Sequence, residues 1–203
     1  TVLMVSVDDD VVAGVAISDR IRPEAEILIK TLHDYGISTA MITGDSQQAA
    51  EFVARELGID HVTAEVLPTD KADAVNALKQ DGKTLAFVGD GINDAPALAA
   101  ADVGIALASG TDVAMEAADV VLMSQNLVSV ATAQRISMKT MRNIKQNLFW
   151  AFAYNVALIP VAAGGLAIFG GPMMSPMLAS GAMAMSSVLV VVNALRLRGV
   201  RAI

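Results

Sequence analysis

Asp90 and Asp94 stand four residues apart in Gly89-Asp-Gly-Ile-Asn-Asp-Ala-Pro96, directly after the apolar run Thr84 to Val88. The run predicts a buried strand, which places both carboxylates at the carboxyl edge of a sheet, where open α/β folds bind ligands. Two acidic groups close together on a Gly-rich turn repel each other unless a cation sits between them, and such oxygen ligands suit Mg²⁺. Gly89 and Gly91 let the backbone approach a phosphate, although an isolated Gly-Asp-Gly is more often a loop with solvated carboxylates. Thr43-Gly44-Asp45 also follows an apolar run and opens a helix, so its hydroxyl and the helix-terminal N–H groups point where a phosphate could sit. A helix cap is the commoner role for that triplet. Lys71 follows Pro68 and Thr69 at a helix start, where a cation opposes the helix dipole and a phosphate would compensate it. A solvated surface lysine is its default reading.

A second group of candidates lies in apolar surroundings. Tyr154 and Asn155 are polar groups within an uncharged run, and Met183 and Ser187 are four apart, on one face of a helix. A thioether is a soft ligand that suits Cu(I), whereas Zn²⁺ or Co²⁺ favours imidazole, carboxylate or thiolate, none of which these runs contain. Packing is the commoner role of one Met among 11, and a helical Ser commonly bonds back to its own helix.

The elements that must position these residues follow from the apolar periodicity. Thr1 to Val7 and Val11 to Ile17 predict two strands joined by a turn at Asp8-Asp-Asp10. From Ser18 onward helix and strand alternate. Helices are expected from Pro23 to about Tyr35, from a cap at Asp45 or Ser46 to Leu57, from Lys71 to Gln80, and over Leu98 to Ala101 and Asp112 to Ala118. Strands are expected over Ser38 to Ile42, Val62 to Ala64, Thr84 to Val88, Val103 to Leu107 and Val120 to Leu122. This alternation implies a doubly wound, mostly parallel sheet with helices on both faces.

Charge divides the chain sharply. All 21 Asp and Glu lie at or before Asp119 together with 7 of the 14 Lys and Arg, so residues 1–119 carry −14 and the remainder +7. An acidic first part argues against nucleic acid as a partner. The absence of Cys excludes a disulfide framework and a thiolate metal site. Leu127 to Gln146 predicts a helix running into Leu148 to Phe169, 22 uncharged residues, and after a Gly/Pro break Met177 to Leu195 adds 19 more. Runs of this length predict a two-span transmembrane helical hairpin over about 148–169 and 177–195, and the flanking basic residues place both its ends in the cytoplasm.

Taken together, the order Thr43, Lys71, Asp90/Asp94 resembles the second, third and fourth motifs of the haloacid dehalogenase-like superfamily. From about Asp19 the resemblance narrows. Asp19-Arg-Ile-Arg-Pro-Glu24, Met41-Ile-Thr-Gly-Asp45, Leu67-Pro-Thr-Asp-Lys71, Gly89-Asp-Gly-Ile-Asn-Asp-Ala-Pro-Ala-Leu98 and Gly110-Thr-Asp-Val-Ala-Met-Glu116 follow one another as in heavy-metal-transporting P-type ATPases. Ala153-Tyr-Asn155, Met183-Ala-Met-Ser-Ser187 and Asn193-Ala-Leu-Arg-Leu197 are similar to the copper(I)/silver branch. The resemblance implies the C-terminal part of an ATP-driven exporter of monovalent copper. In it, Thr43, Gly44 and Asp45 would contact phosphoryl group and nucleotide, and Lys71 would neutralise phosphoryl charge. Asp90 would hold Mg²⁺ with Asp94, Gly91 and Asn93 would complete the loop, and Tyr154, Asn155, Met183 and Ser187 would bind Cu⁺.

It further implies ATP, Mg²⁺, a lipid bilayer, a copper chaperone and the missing N-terminal part of the same transporter as cofactors and partners. The location implied is a multi-pass protein of a bacterial-type plasma membrane with its soluble domain in the cytoplasm. The expected division is 1–18 as the end of a nucleotide-binding domain, 19–137 as a phosphorylation domain without its nucleophile segment, and 138–203 as the membrane hairpin. The sequence has no Asp-Lys-Thr-Gly-Thr and no Cys-Pro-Cys, so the fragment alone is expected to be inactive. One rival reading remains open: Val7-Asp-Asp-Asp-Val-Val12 fits a phosphatase nucleophile pattern, with Asp8 as nucleophile and Asp10 as acid/base in a membrane-anchored phosphatase. Another is a non-catalytic membrane regulator that binds Mg²⁺ or nucleotide.

Overall fold

The structure is a computed structural model. It describes the chain apart from residues 1, 9, 17–19, 80–81, 108–110, 166–167, 169, 172–174 and 201–203, and apart from the side chains of residues 2–3, 15–16, 176, 178–179 and 182–183. The chain divides into two compact units, Thr1–Ser129 and Val130–Ile203.

The first unit begins with β1 (Val2–Val7) and β2 (Asp10–Ala16), an antiparallel ribbon whose register shifts between Val5 and Ser6. α1 (Pro23–Asp34) starts on Pro23, whose missing N–H costs nothing in a first turn, and carries Glu24 and Glu26 there, where the helix dipole favours acidic groups. β3 (Ala40–Ile42) pairs in parallel with β4 (His61–Thr63), and α2 (Gln47–Leu57) crosses between them. Ser46 caps α2 by accepting the Ala49 N–H.

A single 3-10 turn, Pro68–Asp70, leads into α3 (Lys71–Lys79). β5 (Ala86–Gly89), β6 (Val103–Leu107) and β7 (Val120–Leu122) form a three-stranded parallel sheet in that order. α4 (Ala95–Ala100) and α5 (Asp112–Ala117) are the crossings. The core lies where α4 meets α3, α5, β5 and β6, and it holds Val75, Ala97, Leu98, Ala106 and Ala114, all essentially inaccessible to solvent. Small residues dominate because the layers approach closely: a Cβ on Gly104 of β6 would stand 2.6 Å from the Leu98 carbonyl oxygen. Parallel strands joined by helical crossings make this the doubly wound architecture expected from the alternation.

The second unit is helical. α6 (Val128–Ala162) runs for 35 residues without a break, and α7 (Pro176–Leu195) for 20, followed by a 3-10 segment, Arg196–Gly199. Here the expectation of a two-span transmembrane hairpin fails, and with it the multi-pass membrane location. Among the described residues no helix is long and apolar enough to cross a membrane. The apolar run after Leu148 does not continue helically to Phe169 but stops at Ala162, so a span's length counted back from there takes in Lys145, Gln146 and Asn147. The described residues of α7 supply no such run either.

Candidate functional site

The loop after β5 is organised around Asp94. Its carboxylate is buried: Oδ1 accepts from Lys71 Nζ at 2.7 Å, and Oδ2 accepts from the main-chain N–H of Gly91 at 3.1 Å and of Asp90 at 3.4 Å. The Asp94 N–H in turn donates to the Gly91 carbonyl at 3.0 Å, which closes a 3-10 turn, Ile92–Asp94. Gly89 is required sterically. A Cβ there would lie 2.8 Å from Asp94 Cβ and 3.0 Å from the Phe87 ring, and any side chain would push Asp94 off the lysine.

The cation that Asp94 meets is thus the ammonium of Lys71, brought across from the start of α3. Pairing with Asp94 compensates a positive charge at a helix N-terminus, as a phosphate would. Asp90 is left exposed, with no hydrogen bond to its carboxylate among the described residues. Its backbone is tied down, since its carbonyl accepts the Thr111 N–H at 3.1 Å while Thr111 Oγ1 caps α5 through the Ala114 N–H. Asn93, at the exposed crest, completes the loop. Thr111 is the residue that sequence reasoning missed here, because its contact to Asp90 is made by main-chain atoms that carry no side-chain signature.

Thr43, Gly44 and Asp45 form a separate cluster. Thr43 Oγ1 donates to Asp45 Oδ2 at 2.8 Å and accepts the Asp45 N–H at 3.1 Å, so hydroxyl and carboxylate are spent on each other. The segment after β4 wraps this turn: Glu65 N–H donates to the Asp45 carbonyl at 2.9 Å and Val66 N–H to the Thr43 carbonyl at 3.0 Å. Glu65 adopts a left-handed backbone, φ 57°, to make that reach, and its carboxylate accepts the Gln47 N–H at the start of α2. The chain then passes from Val66 through the 3-10 turn to Lys71, so one short segment holds both clusters. No described hydrogen bond or ion pair joins Thr43, Gly44 or Asp45 to Asp90, Asp94 or Lys71.

Asp60 anchors the opposite end of the β3–β4 pair. Its Oδ2 accepts from the Thr39 N–H at 2.7 Å, from Thr39 Oγ1 at 3.1 Å and from Ser38 Oγ at 3.2 Å, and it pairs with His33 Nε2 at 3.1 Å. The Thr39 N–H, with the hydroxyl and imidazole bonds behind it, holds the Asp60 carboxyl down at about 2, from an ordinary value of 3.8.

The loop suits a hard cation of the Mg²⁺ kind. Mg²⁺ is usually held by one or two carboxylates together with phosphate and water rather than by a full protein cage. Asp90 offers one free carboxylate at a strand edge, and the described residues contain no group of three or more His, Asp or Glu that would make such a cage.

The second set of candidates is more dispersed. Asn155 is exposed and donates from Nδ2 to the Ala151 carbonyl of its own helix at 2.8 Å, Tyr154 is half-buried, and Ser187 is exposed. The Met183 side chain lies outside the described residues. Asp8, the nucleophile of the rival phosphatase reading, sits in the turn of the antiparallel ribbon with φ 52°. The ribbon is a two-stranded antiparallel sheet of its own, so Asp8 does not follow a strand of either parallel sheet.

The sequence pattern of haloacid dehalogenase-like hydrolases matches residues 2–102. Copper-transporting ATPase 1 of Rhizobium meliloti (strain 1021) is 58% identical over 198 residues, which is 98% of this chain and 24% of that protein. The copper-exporting P-type ATPase of Staphylococcus aureus (strain MRSA252) is 47% identical over 201 residues, 99% of this chain and 24% of its own length. Among solved structures, a zinc-transporting PIB-type ATPase in an E2.Pi state superposes with a TM-score of 0.81 at 40% identity, over 97% of this chain and 31% of that one. The chain therefore spans about a quarter of the length of the curated relatives it matches. On the motif order, the parallel sheet and these likenesses, the chain belongs to the catalytic superfamily of haloacid dehalogenase-like hydrolases and P-type ATPases, and it is homologous to the copper- and zinc-transporting P-type ATPases.

Proposed function

We propose that this chain works as part of a longer ATP-driven exporter of monovalent copper, in which its first unit handles the phosphoryl group. The observation that carries the reading is the division of labour at the β5 edge: Lys71 neutralises Asp94, and Asp90 is left as a free carboxylate on a backbone held by Asp94 Oδ2 and the Thr111 N–H. In phosphoryl transfer the protein contributes mainly position and charge, and a loop of this kind supplies both. Asp90 would hold Mg²⁺, which supplies the charge that offsets the phosphoryl oxygens when bound. Lys71, by exchanging Asp94 for a phosphoryl oxygen, would neutralise the charge that develops. The turn Thr43-Gly44-Asp45 would take phosphoryl group and nucleotide once its internal hydrogen bond opens. The nucleophilic carboxylate would come from the part of such a protein that this chain does not span.

The copper half of the proposal rests on ligand chemistry and on the 58% identity to a protein described as a copper transporter. The thioether of Met183 is a soft ligand that suits Cu(I), and Tyr154, Asn155 and Ser187 would complete the set with oxygen donors. A copper chaperone would be the natural donor of an ion that is not left free. Two measurements test the two halves. In an Mg²⁺ titration of the 203-residue chain followed by NMR, Asp90→Asn is expected to weaken binding while the Lys71–Asp94 pair stays intact; an unchanged titration would reject the assignment. In the full-length protein, copper-stimulated ATP hydrolysis is expected to fall in Met183→Leu, which keeps volume and apolarity but removes sulfur. Indifference to that change and to Asn155→Ala would reduce both residues to packing.

A further inference from the structure

Three asparagines join α6 to α7 through a one-way ring of hydrogen bonds. Asn143 Nδ2 donates to the main-chain carbonyl of Asn193 at 2.7 Å, Asn193 Nδ2 donates to Asn147 Oδ1 at 2.8 Å, and Asn147 Nδ2 donates back to Asn143 Oδ1 at 3.0 Å. Arg196 Nη1 takes the remaining acceptor, Asn193 Oδ1, at 3.3 Å. Asn143 is buried and the other two asparagines are half-buried, so their amides have little water to fall back on.

Asn143 and Asn147 stand one helical turn apart and form a fork in which Asn193 sits. A slip of α7 by one residue would carry Asn193 about 1.5 Å along the axis and turn its side chain by about 100°, and both bonds between the helices would break together, leaving only the Asn147–Asn143 bond within α6. The apolar part of α7 imposes no such condition. Its Ala, Val, Leu and Met residues are close enough in character for neighbouring registers to pack comparably. In apolar helix pairs a single buried amide is a known way to choose one register among several.

The position of the ring along the chain gives it a consequence. Tyr154 and Asn155 lie between Asn147 and the end of α6, and Met183 and Ser187 lie between the start of α7 and Asn193. Both pairs fall in the part of the two helices bounded by the ring at one end and the connecting segment at the other. We propose that Asn193, held by Asn143 and Asn147, is a positioning residue: it fixes the axial register of α7 against α6 and thereby the relation of Tyr154 and Asn155 to the turn that carries Met183 and Ser187. The functional half rests on the copper reading above; the register half does not.

The chain has no cysteine, so a pair of spin labels on cysteines introduced at the exposed positions Val156 and Met185 reports the α6–α7 distance without background. The expected result is one narrow distance in the parent, shifted or broadened on the scale of a helical turn, about 5 Å, by Asn193→Ala and likewise by Asn147→Ala. Binding of Ag⁺, a redox-stable stand-in for Cu⁺, is expected to weaken about 10–100-fold in the same variants, as for other residues that orient metal ligands. Thermal unfolding measured alongside separates this from loss of fold. Should Asn193→Ala fail to fold, Asn193→Asp keeps the shape but sets a carboxylate oxygen against Asn147 Oδ1 in place of the donated hydrogen bond, and is read in the same two ways. An unchanged distance in a folded variant overturns the register role. A changed distance with unchanged Ag⁺ affinity, where Met183→Leu does lose affinity, overturns the functional half. Ag⁺ binding indifferent to Met183→Leu rejects the copper reading and the functional half with it, and the distances then decide the register alone.

Discussion

Lys71 has a strong claim to decide the state of the β5 loop as a single residue. With it, Asp94 is a paired carboxylate whose side chain keeps 12% of its exposure; without it, the same group is a nearly buried anion held only by two backbone N–H groups. Lys71→Met keeps the stem and removes the charge, and is expected to destabilise the first unit by about 1–3 kcal/mol, the cost of leaving a buried charged hydrogen-bond partner unmade. Lys71→Arg, which retains a donor cation, is expected to recover part of that loss. Urea unfolding of the three proteins is the measurement, and coincident midpoints for Lys71→Met and the parent would mean that Asp94 is stabilised by its N–H donors alone. The pairing was not legible in the sequence: Lys71 and Asp94 are 23 positions apart and meet only because α3 and α4 pack on each other.

The β3–β4 pair shows how an element is held at one end so that its other end can be used. Only three residues pair on each strand, too few to set their own alignment securely, and Asp60 supplies the missing constraint by gathering Thr39, Ser38 and His33. Its carboxyl is held at about 2 in the folded chain against 3.8 unperturbed. A depressed folded value means that the stabilisation is fully present above about 3.8 and is lost as the pH falls through that value toward about 2. The parent is therefore expected to be more stable than Asp60→Asn at neutral pH, with the difference closing between pH 4 and pH 2. Denaturant midpoints across that range measure it, and a difference independent of pH would show that shape rather than charge is what Asp60 contributes. Loss of this anchor is also expected to loosen Thr43-Gly44-Asp45, which follows directly on β3.

At the scale of the whole molecule, the chain is two unlike units, an acidic α/β unit and a cationic helical one. About three-quarters of the length of its curated relatives has no counterpart in it. Phosphoryl transfer to a carboxylate needs a nucleophile held in line with the γ-phosphate, and positioning is most of the catalysis. Asp90 is assigned to Mg²⁺ in the function proposed above and Asp94 is engaged with Lys71, while Asp8 stands in the turn of a ribbon. None of the three is arranged as an attacking group. The chain by itself is therefore expected to take up no acid-stable label from labelled ATP and to release no phosphate from a small phosphomonoester. Phosphomonoester turnover abolished by Asp8→Asn would restore the phosphatase reading.

Periodicity and punctuation alone determined the alternation of strand and helix, since those patterns record which side of each element is buried. Val103–Leu107 and Val120–Leu122 emerge with the boundaries expected of them, and Ser46 and Pro23 start their helices because cap chemistry is local. The type and order of Thr43, Lys71, Asp90 and Asp94 were equally plain, being properties of the string. What only the tertiary structure decided are the pairings across it: Lys71 with Asp94, Thr111 with Asp90, Asp60 with Thr39, and Asn193 with Asn143 and Asn147. The fate of the apolar run after Leu148 also emerged only with the structure. Lack of charge in a stretch of sequence is a statement about composition, whereas crossing a bilayer needs that stretch to be one unbroken helix, and α6 ends at Ala162, where Gly164 turns to φ 90° and the Gly165 N–H bonds back to the Pro160 carbonyl.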